Sequence, residues 1–257
     1  MMRLVTALTA ALLWLVTPAA AEKIVTSLSQ HRVAITSSFT GENLVLFGAI
    51  EADASGGQIR DNYDIVVTVT GPRQTFRTRR KERVLGIWVN VAARPFLSVP
   101  SYLSVLANRP FTHITDVENL REEQIGLDNY LLTQRVGADF ADTVRDDPFR
   151  AAFVRIENEH GLYNESATAV SFITPTVFRA AIPLPSAVPT GVYVTDVKLF
   201  AGGDIVGRSE TAFEITKAGF EEFVAEAARQ RGLLYGLVTA MMALLIGWFA
   251  SVVLRRD

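Results

Sequence analysis

Short apolar stretches separated by turn residues occupy the first part of the chain. In residues 31–90 the apolar positions either alternate with polar ones or form continuous runs, as in residues 44–50, 65–70 and 84–91. Alternation with a period of two is typical of a half-buried strand, and a short continuous apolar run is typical of a central one. Together with Val33 and Ile35, the pattern predicts four strands that form half of an antiparallel sandwich.

Strand patterns return after residue 169. Further strands are predicted at residues 191–200 and 213–215, and an earlier one carries Phe178, Ala180, Ile182 and Leu184 on one face. Neither strand-rich part has enough strands to cover both faces of a core. The two parts are therefore predicted to join into one immunoglobulin-like antiparallel β-sandwich, with residues 22–216 forming the domain.

One short arrangement supports the sandwich. Pro189, Gly191 and Tyr193 resemble the penultimate strand of immunoglobulin-like and fibronectin-like domains, in which a tyrosine hydroxyl fixes the corner to the backbone. We therefore interpret Tyr193 as a structural residue.

An acidic insertion with helical patterns, at about residues 112–165, separates the two strand-rich parts. Residues 116–165 contain 12 acids and 5 arginines. Thr115 and Glu118 have the spacing of a capping box that begins a helix interrupted at Gly126. Just before the insertion, residues 102–106 fit either a strand or a helix.

A second helix of the insertion is predicted to begin at Asp147 and Pro148, an N-cap acid followed by proline at the first helical position. Gly161 supplies the stop signal. The predicted buried stripe of this helix comprises Phe149, Ala152, Phe153 and Ile156.

Residues 232–254 form an apolar segment of 23 residues without a charge. As a helix they would be about 34 Å long, enough to cross a bilayer core of about 30 Å. We predict a transmembrane helix preceded by a stalk helix at 217–231 and followed by a cytoplasmic tail at 255–257.

The N-terminus has the pattern of a secretion signal. Arg3 precedes an apolar run at residues 4–16, and small residues stand at Ala19 and Ala21. Thirteen apolar residues are too few to span a bilayer, so residues 1–21 are predicted to be a cleaved signal peptide, with an uncleaved anchor as the alternative. The protein is then expected in a bacterial inner membrane as a single-pass protein, with its domain in the periplasm.

Composition limits the chemistry. The chain has no cysteine, which excludes disulfides and thiolate metal sites. Residues 22–231 contain 22 basic and 26 acidic side chains, a net charge of −4, which argues against general nucleic-acid binding.

Small residues are confined to one side of the predicted span. At 100° per residue, the eight small side chains of this segment fall within an arc of about 120°. Close approach through small residues is how transmembrane helices usually pack. The predicted helix-packing interface consists of Gly232, Gly236, Ala240, Ala243, Gly247 and Ser251.

A basic run is the second candidate surface. Arg77, Arg79, Arg80 and Lys81 are predicted as an electrostatic contact for anionic lipid or an acidic partner. The alternative is a solvated hairpin, or one that lies against the acidic insertion, and the interleaved Thr75, Phe76 and Thr78 favour that alternative.

The sequence predicts no catalytic residue, no metal site and no cofactor. Gly-x-Ser-x-Gly, P-loop and Gly-x-Gly-x-x-Gly motifs are absent. His31, His113 and His160 are the only histidines, and His160 is expected to interact with the end of a helix rather than with a metal ion.

With these elements in place, the chain resembles a family of transmembrane proteins of alphaproteobacteria with one C-terminal span. The resemblance covers about residues 24–254 and is carried by Phe-Thr-Gly-Glu-Asn-Leu at 39–44, Leu-Phe-Gly at 46–48, residues 161–163, 178–180 and 183–193, and the closing span. It brings no catalytic motif. It implies a membrane partner, with a transport-type permease as the suggested kind.

Two functions follow as hypotheses. The first is a non-enzymatic accessory or scaffold subunit of an inner-membrane complex, which docks on an integral membrane protein or on a second copy through the span. The second is a membrane-tethered periplasmic domain that binds a ligand or a metal.

Overall fold

The computed structural model describes residues 22–51, 60, 62–136, 139–142, 147–219, 228–229 and 232–254. The strands in these residues are β1 (Lys23–Leu28), β2 (Arg32–Ile35), β3 (Gly41–Glu51), β4 (Asp64–Thr70), β5 (Arg73–Val84), β6 (Ile87–Pro100), β7 (Leu103–Ala107), β8 (Thr133–Val136), β9 (Asp139–Asp142), β10 (Tyr163–Ser166), β11 (Val170–Thr174), β12 (Val177–Pro185), β13 (Gly191–Ala201) and β14 (Asp204–Lys217). The helices are α1 (Val117–Glu122), α2 (Pro148–Glu159) and α3 (Gly232–Leu254), and a 3-10 turn covers Phe111–His113.

The strands form three sheets. The first has the order β1-β3-β12-β11 and is antiparallel throughout. The second has the order β10-β7-β4-β13-β14-β2, with parallel pairs at its two edges. The third has the order β5-β6-β8-β9. The predicted class, mainly β with antiparallel sheets, is confirmed.

The second sheet forms the centre of the core. Val66 and Val67 are neighbours on β4 and point to opposite faces, yet neither is exposed to solvent. On one of these faces, Lys198 of β13 donates a hydrogen bond to the carbonyl oxygen of Glu123, just after α1. The segment around α1 therefore covers this face, which explains why β4 is apolar without interruption.

The two strand-rich parts of the sequence share one core, as predicted. Strand β12 of the second part pairs with β3 of the first over nine residues. The predicted face of Phe178, Ala180, Ile182 and Leu184 is buried throughout. Residues 102–106, which fitted either element, contribute to the buried strand β7.

The prediction of a strand at residues 84–91 was right only in part, because Val84 ends β5 and residues 87–91 begin β6. This apolar segment is not a core strand. It contains the turn of a long hairpin formed by β5 and β6, and its side chains are mostly exposed. The polar stretch before it is strand β5, and only the last residues of β5, from Lys81 to Val84, pair with the apolar segment. The apolar character therefore reflects the tip of a projection and not a buried face.

The helical insertion at about 112–165 is only partly helical. It contains α1 and α2 but also the strands β8, β9 and β10. The predicted interrupted helix stops after Glu122, and Gly126, with φ of 92°, lies in an irregular segment. Strand β10 lies parallel to β7 and so extends the central sheet.

The cap of α1 differs from the prediction by one residue. Asp116 is the N-cap, and its carboxylate accepts a hydrogen bond from the backbone N–H of Asn119 at 2.8 Å. The hydroxyl of Thr115 instead donates to the carbonyl oxygen of Gly203. The carboxylate of Asp116 therefore takes the capping position, and Thr115 ties the start of α1 to a turn between strands.

Helix α2 begins and ends as predicted but buries different residues. The carboxylate of Asp147 accepts from the N–H groups of Phe149 and Arg150, and Gly161 has φ of 72°. Its fully buried side chains are Arg150, Phe153 and Glu157, whereas Phe149, Ala152 and Ile156 are half-buried. The predicted stripe was thus right at Phe153 and in part at Phe149, which is half-buried and packs against the core.

Three predicted segments fall wholly or partly outside the described residues. The signal peptide at 1–21 and the tail at 255–257 lie outside them, as do residues 220–227 and 230–231 of the stalk. Lys217, where the stalk was predicted to begin, is the last residue of β14.

Candidate interaction surfaces

Helix α3 carries the predicted helix-packing residues. All 23 of its residues are helical, and none of them is charged. Gly232, Gly236 and Gly247 have open space where a Cβ atom would stand, with no described heavy atom within 4 Å apart from the adjoining residues and the backbone of the same helix. Ala240, Ala243 and Ser251 are likewise exposed. The small residues therefore form an uncovered face.

One polar group on this face has its hydrogen bond within the helix. The hydroxyl of Thr239 is 3.0 Å from the carbonyl oxygens of both Tyr235 and Gly236. A hydroxyl bonded to the preceding turn does not need water, so Thr239 is compatible with an apolar environment.

The β5–β6 hairpin carries the predicted basic run. Strand β5 has 12 residues and β6 has 14, and they pair from Arg73 opposite Pro100 to Val84 opposite Ile87. Near the body of the protein, Phe76 and Phe96 contact the ring of Phe153 on α2. From Arg79 onward the hairpin is largely exposed, so its outer half projects into solvent.

Arg77, Arg79, Arg80 and Lys81 lie together along the exposed part of β5. The described ion pair within this run joins Arg80 to Glu82 on the same strand, at 2.9 Å. Another arginine makes the contact with the acidic insertion: Arg94 of β6 pairs with Asp147 at 3.0 Å and lies over the ring of Phe149.

The turn of the hairpin consists of Leu85 and Gly86, with φ of 50° and 88°. Positive φ at both central residues is the conformation of a type I′ turn, which matches the twist of the two strands. Leu85 is 99 % exposed and Trp88 is 69 % exposed. The sequence pattern does not reveal that these two residues are exposed, because an apolar run beside a turn has the same pattern in a core and at the tip of a hairpin.

Residues 23–256 match the family described as "Putative transmembrane protein (Alph_Pro_TM)". The chain belongs to this family. The match extends from β1 to the residues just beyond α3, and the resemblance predicted from the sequence is confirmed. The Alph_Pro_TM description supports membrane association.

No match to a curated protein or to a solved structure was found. In the part of the chain that the structure describes, no helix meets the combined length and hydropathy requirement for a membrane span.

Buried tyrosines account for several pKa shifts in this Alph_Pro_TM chain. Burial raises the pKa values of Tyr102, Tyr163 and Tyr193 well above the ordinary value for tyrosine. Each of the three hydroxyls donates a hydrogen bond to the carbonyl oxygen of a proline residue, namely Pro183, Pro100 and Pro189. A protonated donor held on a backbone acceptor is a structural contact, so these tyrosines are not candidates for acid–base chemistry.

Two ionisable side chains of α2, Arg150 and Glu157, are buried. Arg150 donates to the carbonyl oxygens of Leu127, Asp128 and Tyr130 at distances of 2.8 to 3.2 Å. Glu157, two turns later, is also buried, and its burial raises the pKa of the carboxyl. Arg150 thereby holds the irregular segment after α1 against the helix.

One polar pocket, of about 650 Å³, lies beside the start of β4. It is lined by Asp64, Asn108 and Arg109 among others. Asn108 donates to one carboxylate oxygen of Asp64 at 3.0 Å, and Arg109 pairs with the other. Because the charged groups of this pocket are engaged with each other, we do not assign a ligand to it.

His160 lies near Glu157, but the described histidines do not belong to a metal-binding cluster. Among the described residues, no group of three or more histidine, aspartate and glutamate side chains has an arrangement suited to a metal ion. His160 is the C-cap of α2, consistent with the local position predicted for it.

Proposed function

We propose that this chain is a non-enzymatic accessory or scaffold subunit of a bacterial inner-membrane complex. In this proposal α3 crosses the membrane once, the strand-rich domain is in the periplasm as an immunoglobulin-like sandwich, and residues 255–257 are cytoplasmic. The partner is an integral membrane protein, of the transport type suggested by the family resemblance, or a second copy of the chain.

The sequence of α3 supports the membrane span. Its 23 residues contain no Asp, Glu, Lys or Arg, and a helix of this length measures about 34 Å, slightly more than the apolar core of a bilayer. Membership of the Alph_Pro_TM family agrees with a membrane location.

The observation that carries the docking role is the uncovered small-residue face of α3. Lipid tails give two helices no hydrophobic reason to associate, so helices in membranes pack where small residues let the backbones approach closely. Gly236 and Gly247 have open space around them, and Leu237, Met241 and Leu245 occupy other sides of the helix. One side of α3 is thus shaped for a helix and the remainder for lipid.

Substitutions on the two sides of α3 test the proposal. We expect Gly236→Leu with Gly247→Leu to abolish co-purification of a membrane partner, or self-association, in mild detergent, because leucine keeps the two backbones apart. Met241→Leu with Leu245→Phe alters two apolar side chains on the opposite side of the helix and should leave the association intact. Unchanged association in the glycine variant would refute the docking role.

A further inference from the structure

The tip of the β5–β6 hairpin exposes more apolar surface than its fold requires. Leu85 is 99 % exposed, and Ile87 and Trp88 are exposed by 65 % and 69 %. Val84 and Val91 beside them are also exposed. Single apolar side chains on a surface are common, but a contiguous apolar cluster at the end of a projection indicates a contact site.

The backbone of the turn strengthens this argument. Leu85 adopts φ of 50°, a left-handed conformation that is unfavourable for residues with a Cβ atom. Turns of this type favour Asn or Asp followed by Gly, which would be both relaxed and soluble. Leucine at this position makes both the turn less stable and the protein less soluble. Its side chain must therefore serve a contact other than those that stabilise the fold.

The apolar side chains surround the axis of the hairpin. Val84 and Ile87 stand opposite each other on one face, Trp88 stands opposite Arg83 on the other face, and Leu85 lies at the end. A partner protein with a flat surface or a groove would contact one face. An end that is apolar on both faces is suited instead to end-on insertion into an apolar layer that surrounds it.

The strands behind the tip are strongly basic. Residues 73–100 contain seven basic residues and one acid, a net charge of +6, whereas the whole chain has a net charge of −2. The remaining residues therefore carry −8. Arg77, Arg79, Arg80, Lys81 and Arg83 are all exposed. This charge complements the phosphate groups of anionic lipids.

The distances agree with a membrane surface. Leu85 lies four positions after Lys81, about 13 Å along a strand. Amphipathic elements that bind membrane surfaces bury their apolar side about 5–10 Å deep, and tryptophan prefers this interfacial level. With Leu85 and Ile87 at that depth, Trp88 lies in the interface and Lys81 lies near the phosphates.

We propose that the tip of the β5–β6 hairpin inserts into the surface of an anionic lipid bilayer, with Leu85, Ile87 and Trp88 below the headgroups and the cations of β5 on the phosphates. This inference rests on the proposed function in one respect, because α3 is the anchor that keeps the hairpin near a bilayer. The domain would then be held to the membrane at two points.

The fluorescence of Trp88 in the full chain tests this contact. Tryptophans occur only at positions 14, 88 and 248, so Trp14→Phe with Trp248→Phe leaves Trp88 as the only indole. We expect its emission to shift to shorter wavelength, and to be quenched by brominated lipid, in vesicles of phosphatidylcholine with phosphatidylglycerol. Both effects should be smaller in pure phosphatidylcholine and should decrease with added salt.

Two variants separate lipid contact from folding. Leu85→Asn suits the turn better and should keep or improve stability, yet it should reduce the quenching of Trp88. Arg79→Gln with Arg80→Gln and Lys81→Gln should remove the preference for anionic vesicles. Flotation of the chain with neutral vesicles reports on the α3 anchor independently, so failure of the anchor and failure of the hairpin contact give different results.

The inference is overturned if the chain floats with anionic vesicles while Trp88 keeps its aqueous emission and is not quenched by brominated lipid. In that case the tip of the hairpin binds a protein instead of lipid. It is equally overturned if Leu85→Asn leaves the quenching unchanged.

Discussion

Tyr193 donates its hydroxyl hydrogen to the carbonyl oxygen of Pro189, four residues earlier, across 2.6 Å. Its ring is fully buried between Tyr102 and Phe213, with ring centroids 5.6 and 5.1 Å away. Burial raises the pKa of Tyr193, so the hydroxyl stays protonated and remains a donor at neutral pH. This bond fixes the corner through which the chain enters β13, the strand between β4 and β14 in the central sheet.

Tyr193→Phe is expected to lower the free energy of unfolding by about 1–2 kcal/mol. The substitution keeps the ring but leaves the half-buried carbonyl of Pro189 without its donor. Urea unfolding of the full chain in detergent, followed by circular dichroism, measures the change. Tyr235→Phe on the exposed part of α3 is the control and should have no effect, and a Tyr193 variant as stable as the parent would contradict this role for the corner.

The Tyr193 contact could be predicted because it is local. Proline, glycine and tyrosine at fixed spacing determine the corner before β13. Likewise, the alternation of apolar residues determines which face of β12 is buried, wherever its partner strands lie. That the two strand-rich parts join also followed from the number of strands in each, although the pairing of β3 with β12 that joins them was not predicted.

What could not be predicted depends on contacts between distant segments. Leu85 and Trp88 are apolar, and only the course of the hairpin shows that they project from the body. Arg150 and Glu157 are charged, and only the carbonyl groups of residues 127–130 explain why an arginine is buried on α2. In both places the polarity of the side chain is opposite to that of its surroundings. A pattern of polar and apolar residues therefore predicts the wrong face to be buried there.

Arg150→Met is expected to destabilise the fold by about 2–4 kcal/mol. Methionine has similar length and fits the apolar surroundings, but it leaves the carbonyl groups of Leu127, Asp128 and Tyr130 without the guanidinium donor. The urea midpoint measures the loss. Arg155→Ala is the matched control on the same helix, because its pair with Glu159 is exposed and should contribute less than about 0.5 kcal/mol. Similar effects of the two substitutions would show that Arg150 is not a tether.

Gly48→Ala should disturb the first sheet. Gly48 of β3 stands opposite Phe178 of β12, and a Cβ atom at Gly48 would lie 2.1 Å from the phenylalanine ring. The ring must move into a packed core, which typically costs about 1–3 kcal/mol. Gly219→Ala has open space and should be tolerated.

A double-mutant cycle identifies the cause of the Gly48 effect. In a Phe178→Leu background the smaller side chain leaves room for the new methyl group, so Gly48→Ala should cost clearly less there than in the parent. If the two substitutions are additive, the clash with the ring is not the source of the destabilisation.

Glu157→Gln should make stability less dependent on pH. Burial raises the pKa of the Glu157 carboxyl above the ordinary value, while the nearby His160 acts in the opposite direction. The folded chain then binds this proton more tightly than the unfolded chain. The stability contributed by the proton is therefore complete below the ordinary pKa of glutamate, about 4.3, and is lost as the pH rises through the raised value.

Glutamine never ionises, so the Glu157→Gln variant should match the parent near pH 4 and become the more stable of the two by pH 7. Urea midpoints measured between pH 4 and pH 8 give the comparison. Glu159→Gln, at an exposed position on the same helix, should show a small difference from the parent with little further change over this range. If the parent instead gains stability relative to the Glu157 variant as the pH rises, the carboxylate is ionised in the fold and has a favourable cationic partner, for which Arg150 on the same buried side of α2 is the first candidate.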